Sequence, residues 1–134
     1  SELGVLSKGR PILVTTLRPC APGTNGAVSL LGTGASIAGG AFVGLAFAAA
    51  SPTPQWSLAL YGGALGFVGS MVDSLLGATI QFSGWDPEKE MVVSKPGNGV
   101  ERISGFPFLS NSAVNFVSAV AVALLSAAAA LVLY

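Results

Sequence analysis

Asp73 is the residue whose type and position most demand a chemical explanation. The chain carries six basic and six acidic residues, and only Asp73 falls inside an apolar segment. An ionised carboxylate in mid-membrane costs at least ~2.5 kcal/mol on insertion scales, so it normally faces a bundle interior or a watery cavity and marks a working site. It could hold a hard cation through oxygen, carry a proton or ion, or sit protonated or paired as a structural acid. Histidine is absent and Cys20 is the single cysteine. That removes the commonest general base, a cysteine zinc site and any internal disulfide.

A second constellation is Pro22-Gly23-Thr24-Asn25-Gly26, preceded by Lys8, Arg10 and Arg18. A glycine-containing turn leading into a helix, with Thr24 or Asn25 as N-cap, aims backbone N–H groups and the positive dipole end at an anion. The turn reads either as a phosphate site or as a plain helix cap, and it lacks the spacing of a P-loop. A third candidate is the run Asp86, Glu88 and Glu90, either a contributor to a Mg²⁺ site with nucleotide phosphates or a solvated loop.

The elements that must position these residues are membrane helices. Half of the chain is hydrophobic and 9% is charged, far from the roughly 25% charge of a soluble domain. Apolar segments at 26–50, 56–81 and 113–134 each approach the ~20 residues needed to cross a hydrocarbon core. The expected fold is an all-α polytopic membrane protein. The expected organisation is a single membrane-domain fragment: polar loop 1–25, span 26–50, span 56–81, polar loop 82–112 and span 113–134. Within the second loop, 91–94 and 100–104 flank Lys95-Pro96-Gly97-Asn98-Gly99 and predict a small β-hairpin. Residues 3–8 read as the last turn of an earlier helix, and 12–16 as a short extended piece. Further helices upstream are expected to complete the bundle.

All six basic residues lie in the two polar loops and none in the neutral 51–55 connection. The positive-inside rule puts both loops on the cytoplasmic or equivalent face. Trp56 and Trp85 would anchor the second span at the two interfaces. A formal net charge of zero leaves no basic surface for nucleic acid.

Asn25, Ser29, Gly32, Thr33, Ser36, Gly40 and Gly44 recur at the spacing of one face of the first helix, and Gly62, Gly66, Gly69, Ser70, Asp73, Gly77 and Gln81 at that of one face of the second. Small residues at this spacing let backbones meet in lipid, so these faces pair with each other or with a further helix. Asn111, Asn115 and Ser118 share a face at the start of the third helix.

Four strings in this order, Ser1-Glu2-Leu3-Gly4-Val5-Leu6-Ser7-Lys8, the Pro22–Gly26 turn, Gly69-Ser70-Met71-Val72-Asp73-Ser74-Leu75-Leu76-Gly77-Ala78-Thr79-Ile80-Gln81 and Asn111-Ser112-Ala113-Val114-Asn115, resemble the transmembrane protein 19 family with its phytyl-phosphate kinases. The likeness is to the C-terminal half and spans nearly the whole chain. The resemblance implies a prenyl-lipid phosphate kinase of tocopherol and related synthesis, using CTP or another nucleoside triphosphate with Mg²⁺. It implies a site with Asp73 catalytic and metal-holding, and Lys8, Arg10, Gly23, Thr24, Asn25 and Gly26 on the nucleotide phosphates. Glu2, Gln81, Asn111 and Asn115 would line the lipid substrate. The Ser-Glu-Leu-Gly segment and the Pro-Gly-Thr-x-Gly turn are also similar to the nucleotide region of polyprenol kinases such as dolichol kinase. The residues alone leave open a transporter with Asp73 as ion or proton site, or a scaffold without turnover.

Overall fold

The structure, a computed structural model, describes residues 9–133. Glu2, Lys8 and the helix end expected at 3–8 lie outside the described residues. In chain order the elements are β1 (Ile12–Leu13), β2 (Ala27–Val28), α1 (Leu30–Ala50), α2 (Ser57–Ile80), β3 (Ser83–Asp86), β4 (Met91–Val93), β5 (Glu101–Ser104) and α3 (Asn111–Leu133). The three helices are each long and apolar enough to cross a membrane. Their bounds fall within four residues of the expected spans.

The first span begins later than expected, and its cap is Ser29. The Ser29 hydroxyl accepts the Gly32 N–H at 3.1 Å. Thr24 and Asn25 do not cap α1, because β2 intervenes and pairs antiparallel with β1, Ile12 opposite Val28. At the far end Ser51 closes α1, its hydroxyl donating to the Phe47 carbonyl at 2.9 Å. Pro52 then cannot continue the helix.

The two small-residue faces meet each other. A side chain on Gly40 would strike the Gly62 carbonyl, one on Gly62 the Gly40 carbonyl, and one on Gly66 the Ser36 carbonyl. Backbone touches backbone along this seam, which is how helices gain packing in lipid, where the hydrophobic effect no longer drives them together. α3 packs on α2 through longer side chains. The Tyr61 hydroxyl donates to the Ser126 carbonyl at 2.8 Å, and Val122 lies beside Gly69. The outward faces keep Leu30, Phe42, Phe47, Phe116 and Leu131 exposed, as lipid-facing residues are.

The polar loops gather where α1 and α3 begin and α2 ends. The small hairpin of the second loop is formed by β3 and β4 around residues 87–90, with Trp85 opposite Val92. β4 and β5, the strands expected to pair with each other, instead flank β3 in the order β4-β3-β5. Sequence periodicity marked β4 and β5. It missed β3, whose Ser-Gly-Trp-Asp has no β-branched residue and is held by its two neighbours. Trp85 therefore lies on a strand, and the helix below it spans only 57–80. The last carbonyls of α2 are taken up by the chain returning from the sheet. Phe106 N–H donates to Thr79 at 3.1 Å and Leu109 N–H to Ile80 at 3.0 Å, which satisfies groups the helix cannot pair itself.

Candidate functional site

At this loop-side end the helices enclose a cavity of about 720 Å³. Its walls come from four places. The 22–28 turn forms one side; Ser29, Thr33 and Ser36 of α1 form the next. Ser70, Asp73, Ser74 and Gln81 of α2 face them, and Asn111 and Asn115 of α3 close the rim. Asp73 sits two helical turns, ~10 Å, before the end of α2, within reach of groups entering from the loops.

Asp73 is half-buried, and the Ser118 hydroxyl donates to its Oδ1 at 3.0 Å. The same hydroxyl lies 3.0 Å from the Asn115 carbonyl, so Ser118 joins Asp73 to the helix that carries Asn115. A carboxylate accepts about four hydrogen bonds, and one donor leaves it capacity toward the cavity. Gln81 is buried at the C-cap of α2 and donates from Nε2 to Asn111 Oδ1 at 3.2 Å. That bond fixes the amide planes of both residues at the rim.

The 22–28 turn is held by side chains that sequence reasoning did not place. Asn25 N–H donates to Ser83 Oγ at 2.9 Å and Asn25 Nδ2 to the Phe82 carbonyl at 2.9 Å. The Ser104 hydroxyl donates to the Asn25 carbonyl at 3.4 Å. Thr24 turns inward, its hydroxyl donating to Ala21 at 2.7 Å and its N–H to the same carbonyl at 3.2 Å. Two of the four N–H groups expected to cradle phosphate are thus committed within the chain. Gly26 lets the turn close on α2. Its φ is +80°, and a Cβ there would meet Ala78 and the Ser74 carbonyl.

A family model described as integral membrane protein DUF92 matches residues 1–123. The chain belongs to the DUF92 family. It is 42% identical to Protein PGR of Arabidopsis thaliana over 144 positions, covering all of this chain and 50% of that protein. It is 37% identical to the uncharacterized membrane protein MJ0933 of Methanocaldococcus jannaschii over 88 positions, covering 63% of this chain and 34% of that one. The chain thus spans half the length of the first relative and about a third of the second. No solved structure matches it.

Of the sequence-derived site residues, this DUF92 chain brings Gly23, Thr24, Asn25, Gly26, Asp73, Gln81, Asn111 and Asn115 to one cavity. Arg10 is exposed and does not line it, although the adjoining Pro11 does. Among the described residues lining the cavity none is Lys or Arg. The acidic run does not reach it either. Asp86 accepts from Lys89 Nζ at 2.8 Å and from the N–H groups of Glu88 and Lys89 at 3.1 and 3.2 Å. The hydrogen bond from Lys89 holds the Asp86 carboxyl below its ordinary value. Cys20, beside the Pro11 carbonyl, has its thiol pushed up by burial.

No three of His, Cys, Asp and Glu gather anywhere among the described residues. That excludes a cage made wholly of such side chains in this region. It still fits Mg²⁺ bound in the usual way for phosphoryl transfer, by one or two carboxylates with waters and substrate phosphates. Asp73 is the carboxylate that lines this cavity, which it shares with the hydroxyl and amide side chains of Ser70, Ser74, Gln81, Asn111 and Asn115.

Proposed function

We propose that the intact protein is a prenyl-lipid phosphate kinase acting on an isoprenyl monophosphate such as phytyl phosphate. The observation that carries this reading is the cavity around Asp73, which lies at the loop-side end of three membrane helices. A substrate with an apolar tail and a phosphate head requires that placement: hydrocarbon beside the helices, headgroup level with the polar loops. A water-soluble donor, CTP or another nucleoside triphosphate, would approach from the loop side.

In the reaction an oxygen of the lipid phosphate attacks the γ-phosphorus. The bond from that phosphorus to the β–γ bridging oxygen breaks, giving lipid diphosphate and nucleoside diphosphate. Such transfers are catalysed mainly by positioning and by neutralising charge. Asp73, held by Ser118, would be the carboxylate that binds Mg²⁺, which screens the phosphate oxygens when present. Asn111, Asn115 and the Gln81 amide would orient the lipid phosphate. The 23–26 turn would contact the donor through Gly23 and Gly26, with Lys8 and Arg10 supplying positive charge from the chain that leads to it.

The test uses the full-length protein in detergent, offered labelled CTP and labelled ATP separately with phytyl phosphate, as wild type and Asp73→Asn. The expected result is labelled lipid diphosphate from wild type and its loss in the variant. Absence of product with either nucleotide, from protein shown to be folded, would remove this substrate. Proton or ion flux through vesicles that depends on Asp73 would then favour transport.

A further inference from the structure

We propose that Arg102, Phe106 and Phe108 form a docking patch for the phospholipid headgroups of the host bilayer, fixing the β3–β5 sheet on the membrane surface. The inference is independent of the kinase reading. Phe106 and Phe108 are 50% and 73% exposed, an unusual state for two phenylalanines separated only by Pro107 in a polar loop. Their rings lie 5.7 Å centroid to centroid, and the Arg102 guanidinium sits 4.6 Å above the Phe106 ring.

The level of this cluster is set by backbone bonds. Phe106 and Leu109 donate to the Thr79 and Ile80 carbonyls, which end the second span, and α3 enters its own span at Asn111. The rings are therefore held at the boundary between hydrocarbon and headgroups. Aromatic rings concentrate at that depth. A guanidinium stacked on such a ring keeps its donor edge free for phosphate oxygens, which it can bind in pairs. The charge complements phospholipid, whose phosphate occupies the adjoining layer. Docking also has a structural consequence. The strands that follow α2 and precede Phe106 carry Ser83 and Ser104, which hold Asn25 over the cavity.

The experiment places the full-length protein in nanodiscs and replaces Phe108 with Trp, reading the difference in tryptophan emission from wild type. The added indole should emit at shorter wavelength than in water. Lipids brominated near the headgroup should quench it more than lipids brominated at the chain end. Quenching should weaken in nanodiscs of a phosphate-free galactolipid, and Arg102→Gln should abolish that lipid dependence. Water-like emission without quenching would overturn the proposal, as would short-wavelength emission insensitive to bromine, which would mean that protein covers the patch. Equal quenching of the Phe108→Trp protein in the two lipids, or a lipid dependence that survives Arg102→Gln, would overturn the phosphate contact.

Discussion

Replacing Gly26 with Ala should release the turn from α2, and three Gly→Ala changes separate the causes. At Gly26 the backbone is left-handed and a Cβ has no room, because Ala78 and the Ser74 carbonyl already occupy that space. At Gly99 φ is +76° but nothing lies within 4 Å of a Cβ. At Gly39, inside α1, neither problem exists. Left-handed backbone costs an L-residue about 1–2 kcal/mol. Forcing a methyl into a packed contact costs about 1–3 more. Gly26→Ala should therefore destabilise the docked turn by about 2–5 kcal/mol, which at 1.4 kcal/mol per decade is at least an order of magnitude in the docking equilibrium. Gly99→Ala should lose only the first part. Gly39→Ala should be neutral or slightly stabilising, since Ala is favoured over Gly in a helix by up to about 1 kcal/mol. Thermal unfolding of the full-length variants in detergent, with hydrogen exchange at residues 22–28, reads all three. If Gly26→Ala unfolds no earlier than Gly99→Ala and its turn exchanges no faster, the close contact with α2 is wrong.

Ser83→Ala removes the acceptor of the Asn25 N–H. A buried donor left unpaired costs about 1–3 kcal/mol, so exchange at Asn25 should accelerate while α1 and α2 stay protected. For Asp86, whose folded-state value is lowered below 3.8, the stabilisation is complete above that ordinary value and is lost as pH falls through the lowered one. Hydrogen exchange of 83–93 should rise on acidification across that window, and Lys89→Met should shrink the effect. Cys20, with its thiol pushed up by burial, should react with maleimide more slowly at neutral pH than a free thiol does. A rate equal to that of a model thiol would contradict the placement beside Pro11.

The membrane character, the three spans and the small-residue faces of the first two helices were legible in the amino-acid sequence, while the meeting of those two faces with each other belongs to the packed structure. Hydropathy and small-residue spacing are local signals, and in lipid they map directly onto helix length and helix contact. Asp73 was marked as well, because an ionised carboxylate in an apolar run is costly and normally faces a bundle interior or a watery cavity, although the residues alone also allowed a protonated or paired structural acid. What surrounds that charge is set by how α3 packs against α2. Ser118 was visible as a polar residue on the same helical face as Asn111 and Asn115, yet its bond to Asp73 depends on the rotation of α3 against α2, which an Ala/Leu/Val helix does not encode in periodicity. The strand order of the loop was illegible for a related reason. β3 has Trp85 as its one strand-favouring residue, beside Ser, Gly and Asp, and is held because β4 and β5 pair with it from either side. The turn at 22–26 read as a helix cap because proline, glycine and asparagine serve both purposes. Its real constraint, the contact of Gly26 with α2 and of Asn25 with Ser83, joins residues far apart in the chain, and no local pattern carries information about such a meeting.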